Sequence, residues 1–265
     1  INLTTYGSMF CEVIMKITRI ELQKNDNTRF NLFSEDQFIM SVSGLFLVLF
    51  LLFHSLMNIV VLISAEGYDW IVNFLGANWY ALIATAVLAF GFIIHIIYAT
   101  ILTLQNLKAR GQDRYAVSKP QRTVSWASKN MFILGLIILG FLVLHMMHFW
   151  YKMQLVEVMH MMGVDFGDLS RANRGVLLID ELFKNPIYSV VYLVWLVAIW
   201  FHLTHGFWSA MHTLGWSNQI WLPRLKKISY VLATVVCLLF AAIPIAYLKD
   251  FSHDAYIQAQ NLPLQ

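Results

Sequence analysis

Five stretches of the chain are apolar over membrane length, and polar segments separate them. They run from Phe38 to Ile63, Trp79 to Leu104, Met131 to Tyr151, Ile187 to Met211 and Ile228 to Leu248. A spanning helix needs roughly 20 apolar residues, so each run predicts one transmembrane helix. Residues 1–37 form a polar amino-terminal segment of mixed charge, residues 38–248 one five-helix membrane domain, and residues 249–265 a polar tail. The connections Ser64 to Asn78 and Lys152 to Pro186 read as loops, with a short interfacial helix over Val176 to Phe183. The first apolar run is 26 residues long and begins only at Phe38, which suits a span better than a signal core. The expected fold is all-α, an integral membrane bundle without internal repeats.

Composition agrees. Hydrophobic side chains make up 59% of the 265 residues and charged ones 12%, about half the charged share of a soluble domain. The segment Leu107 to Asn130 carries Lys108, Arg110, Arg114, Lys119, Arg122 and Lys129 against the single acid Asp113. Positive-inside bias puts this segment, and with it the amino terminus, in the cytoplasm. The formal charge of +3 then reflects loops beside the membrane and implies no nucleic acid partner. Two cysteines, Cys11 and Cys237, make no disulfide framework. Trp and Tyr at the span ends are interface anchors among the lipids.

The spans carry a chemistry that apolar packing does not need. His54, His95, His145 and His202 each lie inside a different apolar run, where an imidazole without a partner loses its hydration for nothing. A helix rises about 1.5 Å per residue, so position gives depth. His54 and His145 lie about four residues past the centres of spans 1 and 3, roughly 5 Å toward the outer face. His95 and His202 lie about three residues past the centres of the oppositely directed spans 2 and 4, roughly 5 Å toward the cytoplasm. Two level pairs at two depths suit two stacked b-type haems, each iron taking one nitrogen from each of two helices. Taken singly, such a histidine is as often a hydrogen-bonding residue between helices. No Cys, Asp or Glu lies near the four in sequence to complete a small-metal shell. His148 and His205 follow two of the candidates by three residues and can bond a haem propionate, a quinone oxygen or a backbone carbonyl. His160, His212 and His253 read as loop or headgroup residues.

The chain resembles a known family, the five-helix, dihaem membrane cytochrome b of succinate dehydrogenases and fumarate reductases. The resemblance covers Phe38 to Leu248 and rests on FLLFHSLMN around His54, GFIIHIIYA around His95, GFLVLHMMHFW around His145 and FHLTHGFWS around His202. It implies that His95 and His202 hold the cytoplasmic-side haem iron and His54 and His145 the distal one, with four helices enclosing both haems. It also implies a flavoprotein subunit, an iron-sulfur subunit and a quinone as partners, in the bacterial cytoplasmic membrane, with room for a dimer of complexes. The runs GANWYALIAT and LQNLKARGQDRYAV are similar to the version that uses menaquinone. Glu66, near the outer end of span 1, is the candidate proton acceptor at a quinol site, with a solvated loop acid as the alternative. The chain departs from the family at Glu35 and Asp36, where members often have a basic residue, which leaves Arg29 or the basic segment to supply that charge. It also has Trp200 two residues before the fourth ligand, where a proton-moving fumarate reductase has a glutamate.

Two rival readings remain open at this point. One is the b-type cytochrome of another quinone-linked dehydrogenase, such as a hydrogenase or formate dehydrogenase. The other is a transporter or proton channel that uses buried histidines. The cytochrome of quinol to cytochrome c complexes is disfavoured, because it places two ligands about fourteen residues apart on each of two helices and this chain has Met159 and Tyr188 there.

Overall fold

The computed structural model describes residues 35–76, 78–109 and 125–261. These residues form helices and turns only, without a strand. Five helices are long and apolar enough to cross a membrane: α1 (Glu35–Leu62), α3 (Trp79–Ala109), α5 (Met131–His148, extended by a 3-10 turn to Lys152), α9 (Pro186–Thr213) and α10 (Trp221–Tyr247). The chain is therefore a multi-pass, all-α membrane bundle. Cys11, Arg29 and most of the basic segment after α3 lie outside the described residues.

The helix ends follow from local chemistry. Asn185 caps α9, its side chain accepting from Ile187 N–H, and Pro186 fills the first helical position, where its missing N–H costs nothing. The Asn218 carboxamide oxygen accepts from Ile220 and Trp221 N–H. This starts α10 at Trp221, seven residues before the apolar run that marked span 5, so Arg224, Lys226 and Lys227 ride on its first turns. Glu35 and Asp36 open α1, where acids complement the helix dipole.

Helices α9 and α10 form the closest pair. Fully buried Ser229, Ala233 and Val236 let their backbones approach, and the Ser229 hydroxyl donates to the carbonyls of Leu203 (3.0 Å) and Thr204 (2.8 Å). Small residues and interhelical hydrogen bonds are what drive helix association in lipid, where apolar burial offers no net gain. Gly91 on α3 allows a similar approach to α1: a Cβ there would stand 2.7 Å from the Phe46 ring.

One end of the bundle carries a cap that hydropathy does not reveal. The expected loop after α1 contains α2 (Ala65–Phe74), N-capped by Ser64. The long connection after α5 contains α6 (Gln154–Met161), α7 (Leu169–Ala172) and α8 (Gly175–Phe183), and the expected polar tail contains α11 (Asp254–Asn261). A short α4 (Trp126–Lys129) enters α5 at the opposite end. Two buried acids tie the cap together. Asp69 on α2, 7% exposed, accepts from Val176 N–H (2.9 Å), the Tyr256 hydroxyl (3.1 Å) and the Gln260 amide (3.4 Å). Asp180 on α8, 2% exposed, accepts from His253 N–H (3.1 Å) and pairs with Lys184, which also reaches Asp254. Asp69 and Asp180 are therefore the struts of the cap.

Candidate functional site

The bundle is not filled to its axis. Helices α1, α3, α5 and α9, with Phe240, Ile243 and Pro244 of α10, surround a cavity of about 500 Å³, within the roughly 300–1,000 Å³ range of small-molecule and cofactor sites. It is lined along α1 from Met40 to Asn58, about 27 Å of helix rise. It thus runs most of the way through a membrane. The walls are largely Leu, Ile, Val and Phe, and all four span histidines face it.

The histidines meet in two pairs. Ring centres of His54 and His145 are 6.0 Å apart at the capped end, and those of His95 and His202 are 6.3 Å apart deeper in the bundle. These are the partners that depth alone matched. Two glycines measure the distance between the pairs. A Cβ on Gly44 would stand 3.2 Å from His95 Cε1, and one on Gly135 would stand 3.9 Å from His202 Cε1. Gly44 precedes His54 by ten residues on α1, and Gly135 precedes His145 by ten on α5, so both helices give about 15 Å between levels. Each of these helices presents a histidine at one level and a bare backbone at the other.

A nitrogen ligand stands about 2 Å from its metal ion, so two imidazoles on opposite sides of one ion have ring centres about 6 Å apart. Both pairs match that separation. An ordinary edge-to-face ring contact falls in the same range, but it does not account for the nitrogens. His145 Nδ1 and His202 Nδ1 are buried without a hydrogen-bond partner, a costly arrangement in a dry interior. Among the described residues no group of three or more His, Cys, Asp or Glu could enclose a bare metal ion. The described residues thus present an apolar slot with two opposed imidazoles at each of two levels.

The polar surroundings differ between pairs. The Ser43 hydroxyl donates to Met40 O (3.0 Å), which leaves its oxygen to accept from His95 Nδ1 at 3.3 Å. At the capped end the Asn58 amide reaches His54 Nδ1 at 3.2 Å and His54 O at 2.8 Å, while its oxygen accepts from the buried Tyr68 hydroxyl at 3.1 Å. Phe50 and Phe240 flank His54, and Phe149 and Trp195 flank His145. Asn58 and Tyr68 escaped the sequence reading. The available signal was an amide one helical turn after a span histidine.

The remaining candidates separate. His205 lines the cavity with its Nδ1 buried and unpartnered, edge-on to Trp208, whose face carries the Lys226 ammonium at 4.8 Å. His148 bonds the Tyr192 hydroxyl at 3.0 Å, and Tyr192 is itself a cavity residue. Glu66 sits exposed in the first turn of α2, away from the cavity lining, and the buried acid nearby is Asp69. His212 bonds Ser217 in the turn after α9, while the Nε2 atoms of His160 and His253 are buried in the cap without partners.

In comparison with known proteins, residues 15–52 match a family model described as the regulatory protein RecX N-terminal domain. Of that stretch only residues 35–52 are described, as part of the apolar helix α1, and it contains none of the four paired histidines. No curated protein and no solved structure matches the chain. The class therefore rests on the molecule: a five-span helical membrane bundle built around an apolar cavity with two histidine pairs.

Proposed function

We propose that the chain is the dihaem membrane cytochrome b of a succinate dehydrogenase or quinol:fumarate reductase, set in a bacterial cytoplasmic membrane with its amino terminus inside. The observation that carries this reading is the arrangement of four histidines from four helices as two opposed pairs, at two depths, on one apolar cavity. His95 and His202 would hold the iron of one haem b, and His54 and His145 that of the other. Haem bound there would supply one-electron transfer, and two levels about 15 Å apart make a relay.

The protein's own part is positioning and exclusion. Leu, Phe and Val along the cavity keep water from the ligands, and Gly44 and Gly135 leave room for the imidazoles of the neighbouring helices. A quinone, with menaquinone the expected one, takes up two protons with two electrons. At the capped end Tyr192, with His148 behind it, offers a hydrogen bond to its oxygens, and Glu66 is an exposed acid able to exchange protons with water. An iron-sulfur subunit, joined to a flavoprotein that handles the dicarboxylate, would dock at the opposite end. Lys108 lies in the last turn of α3, Lys129 ends α4, and Arg224, Lys226 and Lys227 ride on the first turns of α10, basic charges suited to electrostatic steering.

The test is a dithionite-reduced minus oxidised spectrum of the purified chain, with haem extracted and counted. The reading requires two low-spin b haems per polypeptide, with one lost when either member of a pair is replaced by alanine. A colourless protein that carries a proton-coupled flux overturns it in favour of a transporter, and two haems without succinate or fumarate partners in the native complex moves the assignment to another quinone-linked dehydrogenase.

A further inference from the structure

Among the described residues, only one of the four span histidines meets a hydrogen-bond acceptor at Nδ1, and that one is His95. Its Nδ1 stands 3.3 Å from Ser43 Oγ on α1. The Nδ1 atoms of His145 and His202 are buried without a partner, and His54 Nδ1 faces the amide nitrogen of Asn58, itself a donor.

The direction of the Ser43 contact follows from its helix. Ser43 is 8% exposed, and its hydroxyl hydrogen goes to the carbonyl of Met40, 3.0 Å away on the preceding turn. A hydroxyl has one hydrogen to give and two lone pairs with which to accept. Toward His95 the Ser43 oxygen therefore accepts, which places the proton of the neutral imidazole on Nδ1 and leaves Nε2 its lone pair. No described residue bonds that Nε2. The ring lines the cavity across from His202, with ring centres 6.3 Å apart. Gly44 completes the seat, since a Cβ there would stand 3.2 Å from His95 Cε1. Two successive residues of α1 thus hold the Nδ1–Cε1 edge of a ring from α3, one by a hydrogen bond and one by a bare backbone.

We propose that Ser43 is the positioning residue of His95: it fixes the tautomer that offers Nε2 to the cavity and strengthens that nitrogen as a donor at the deeper level alone. The inference rests on the haem reading of the four histidines. An acceptor on the second nitrogen of a ligating imidazole orients the ring and raises its basicity, which favours the oxidised metal. Ser43 then holds the deeper couple lower than the two imidazoles would by themselves. Among the described residues nothing does the same for the capped-end couple.

The experiment is a redox titration of the purified dihaem protein, followed optically, with couples assigned by which one disappears in His202→Ala. Ser43→Ala removes the acceptor and adds no bulk. It is expected to raise the deeper couple by about threefold or more in its reduction equilibrium, about 28 mV for one electron, with the capped-end couple in place. Ser43→Thr keeps a hydroxyl that can bond a carbonyl one turn back, and should return the couple to the wild-type value. Loss of the deeper haem in Ser43→Ala with retention in Ser43→Thr supports the proposal as well, because only the hydroxyl separates those two outcomes. Two bound haems with an unmoved deeper couple in Ser43→Ala overturn this inference alone. So do couples that shift together by equal amounts, or a Ser43→Thr variant that behaves like Ser43→Ala. A wild-type protein without haem overturns the parent reading and this one with it.

Discussion

Gly44 offers the sharpest test of the packing around the deeper site. His95 is pinned there: its Nδ1 lies 3.3 Å from Ser43 Oγ, and its Cε1 would stand 3.2 Å from a Cβ on Gly44. Gly44→Val puts that Cβ in place and adds two methyl groups beyond it, against a ring that cannot retreat without leaving His202. Overpacking of this kind costs about 1–3 kcal/mol, and every 1.4 kcal/mol is tenfold in an equilibrium. If the four histidines hold haem as proposed, retention at the deeper level should therefore fall by between about fivefold and a hundredfold, with the capped-end haem unaffected. The control is Gly135→Ala on α5. There the added Cβ meets His202 Cε1 at an ordinary 3.9 Å, and alanine is favoured over glycine in a helix by roughly 0.5–1 kcal/mol, so the variant should be neutral or slightly more stable. The assay is haem per polypeptide after detergent washing, with the residual spectrum compared with that of His202→Ala. Equal haem loss in the two glycine variants, or none in Gly44→Val, would refute the steric account.

The cap and the helix pair yield three further expectations. Asp69→Ala strips the partners from Val176 N–H and the Tyr256 hydroxyl, and an unsatisfied buried donor costs about 1–3 kcal/mol, so thermal unfolding in detergent should shift downward. Docking of α11 should be at full strength between about pH 4 and pH 10 and weaken progressively outside that window, read as proteolytic release of the carboxyl terminus. The sign follows from its groups: Lys184 holds Asp254 below its ordinary value, so that contact is present above about pH 3.8 and lost as pH falls below it. Lys184 is raised by Asp180 and Asp254, and burial with the Asp69 carboxylate pushes Tyr256 up to about 12, so both contributions are complete below about pH 10 and lost as pH rises through the higher folded values. Ser229→Leu forces a large side chain into a fully buried contact between α9 and α10 and should cost about 1–3 kcal/mol by overpacking, seen as loss of the folded fraction after detergent extraction.

The membrane part of the fold was legible because lipid imposes a crude rule: a span must be apolar for about 20 residues, and five runs obey it. Depth was legible for the same reason, since a straight helix turns residue number into height, and His54 stands opposite His145 as His95 stands opposite His202. Of the cap only α8 was legible, as the short helix expected over Val176 to Phe183. The other cap helices run from four to ten residues, too short for an apolar average to register. Their stability comes from partners distant in the chain, as when Asp69 receives Val176 and Tyr256. Asp69 and Glu66 look alike in sequence, yet one is buried and the other exposed, because the face that α2 turns to α8 is decided by Gly175. The start of α10 was missed because Arg224, Lys226 and Lys227 end the apolar run before the helix ends. Two of these cations sit over Trp221 and Trp208, so their charge does not interrupt the helix.

The histidine pairs interlock along the chain. The first span pairs with the third and the second with the fourth, so neither pair has both members until later spans have entered the membrane. A nascent chain with two spans inserted holds two unmatched imidazoles and no closed slot. The first complete pair arises with α5 and the second only with α9, which also brings the surface on which α10 closes. Maturation therefore has a built-in order, capped end first and deeper level second, and a chain truncated after α5 can complete at most one of the two pairs.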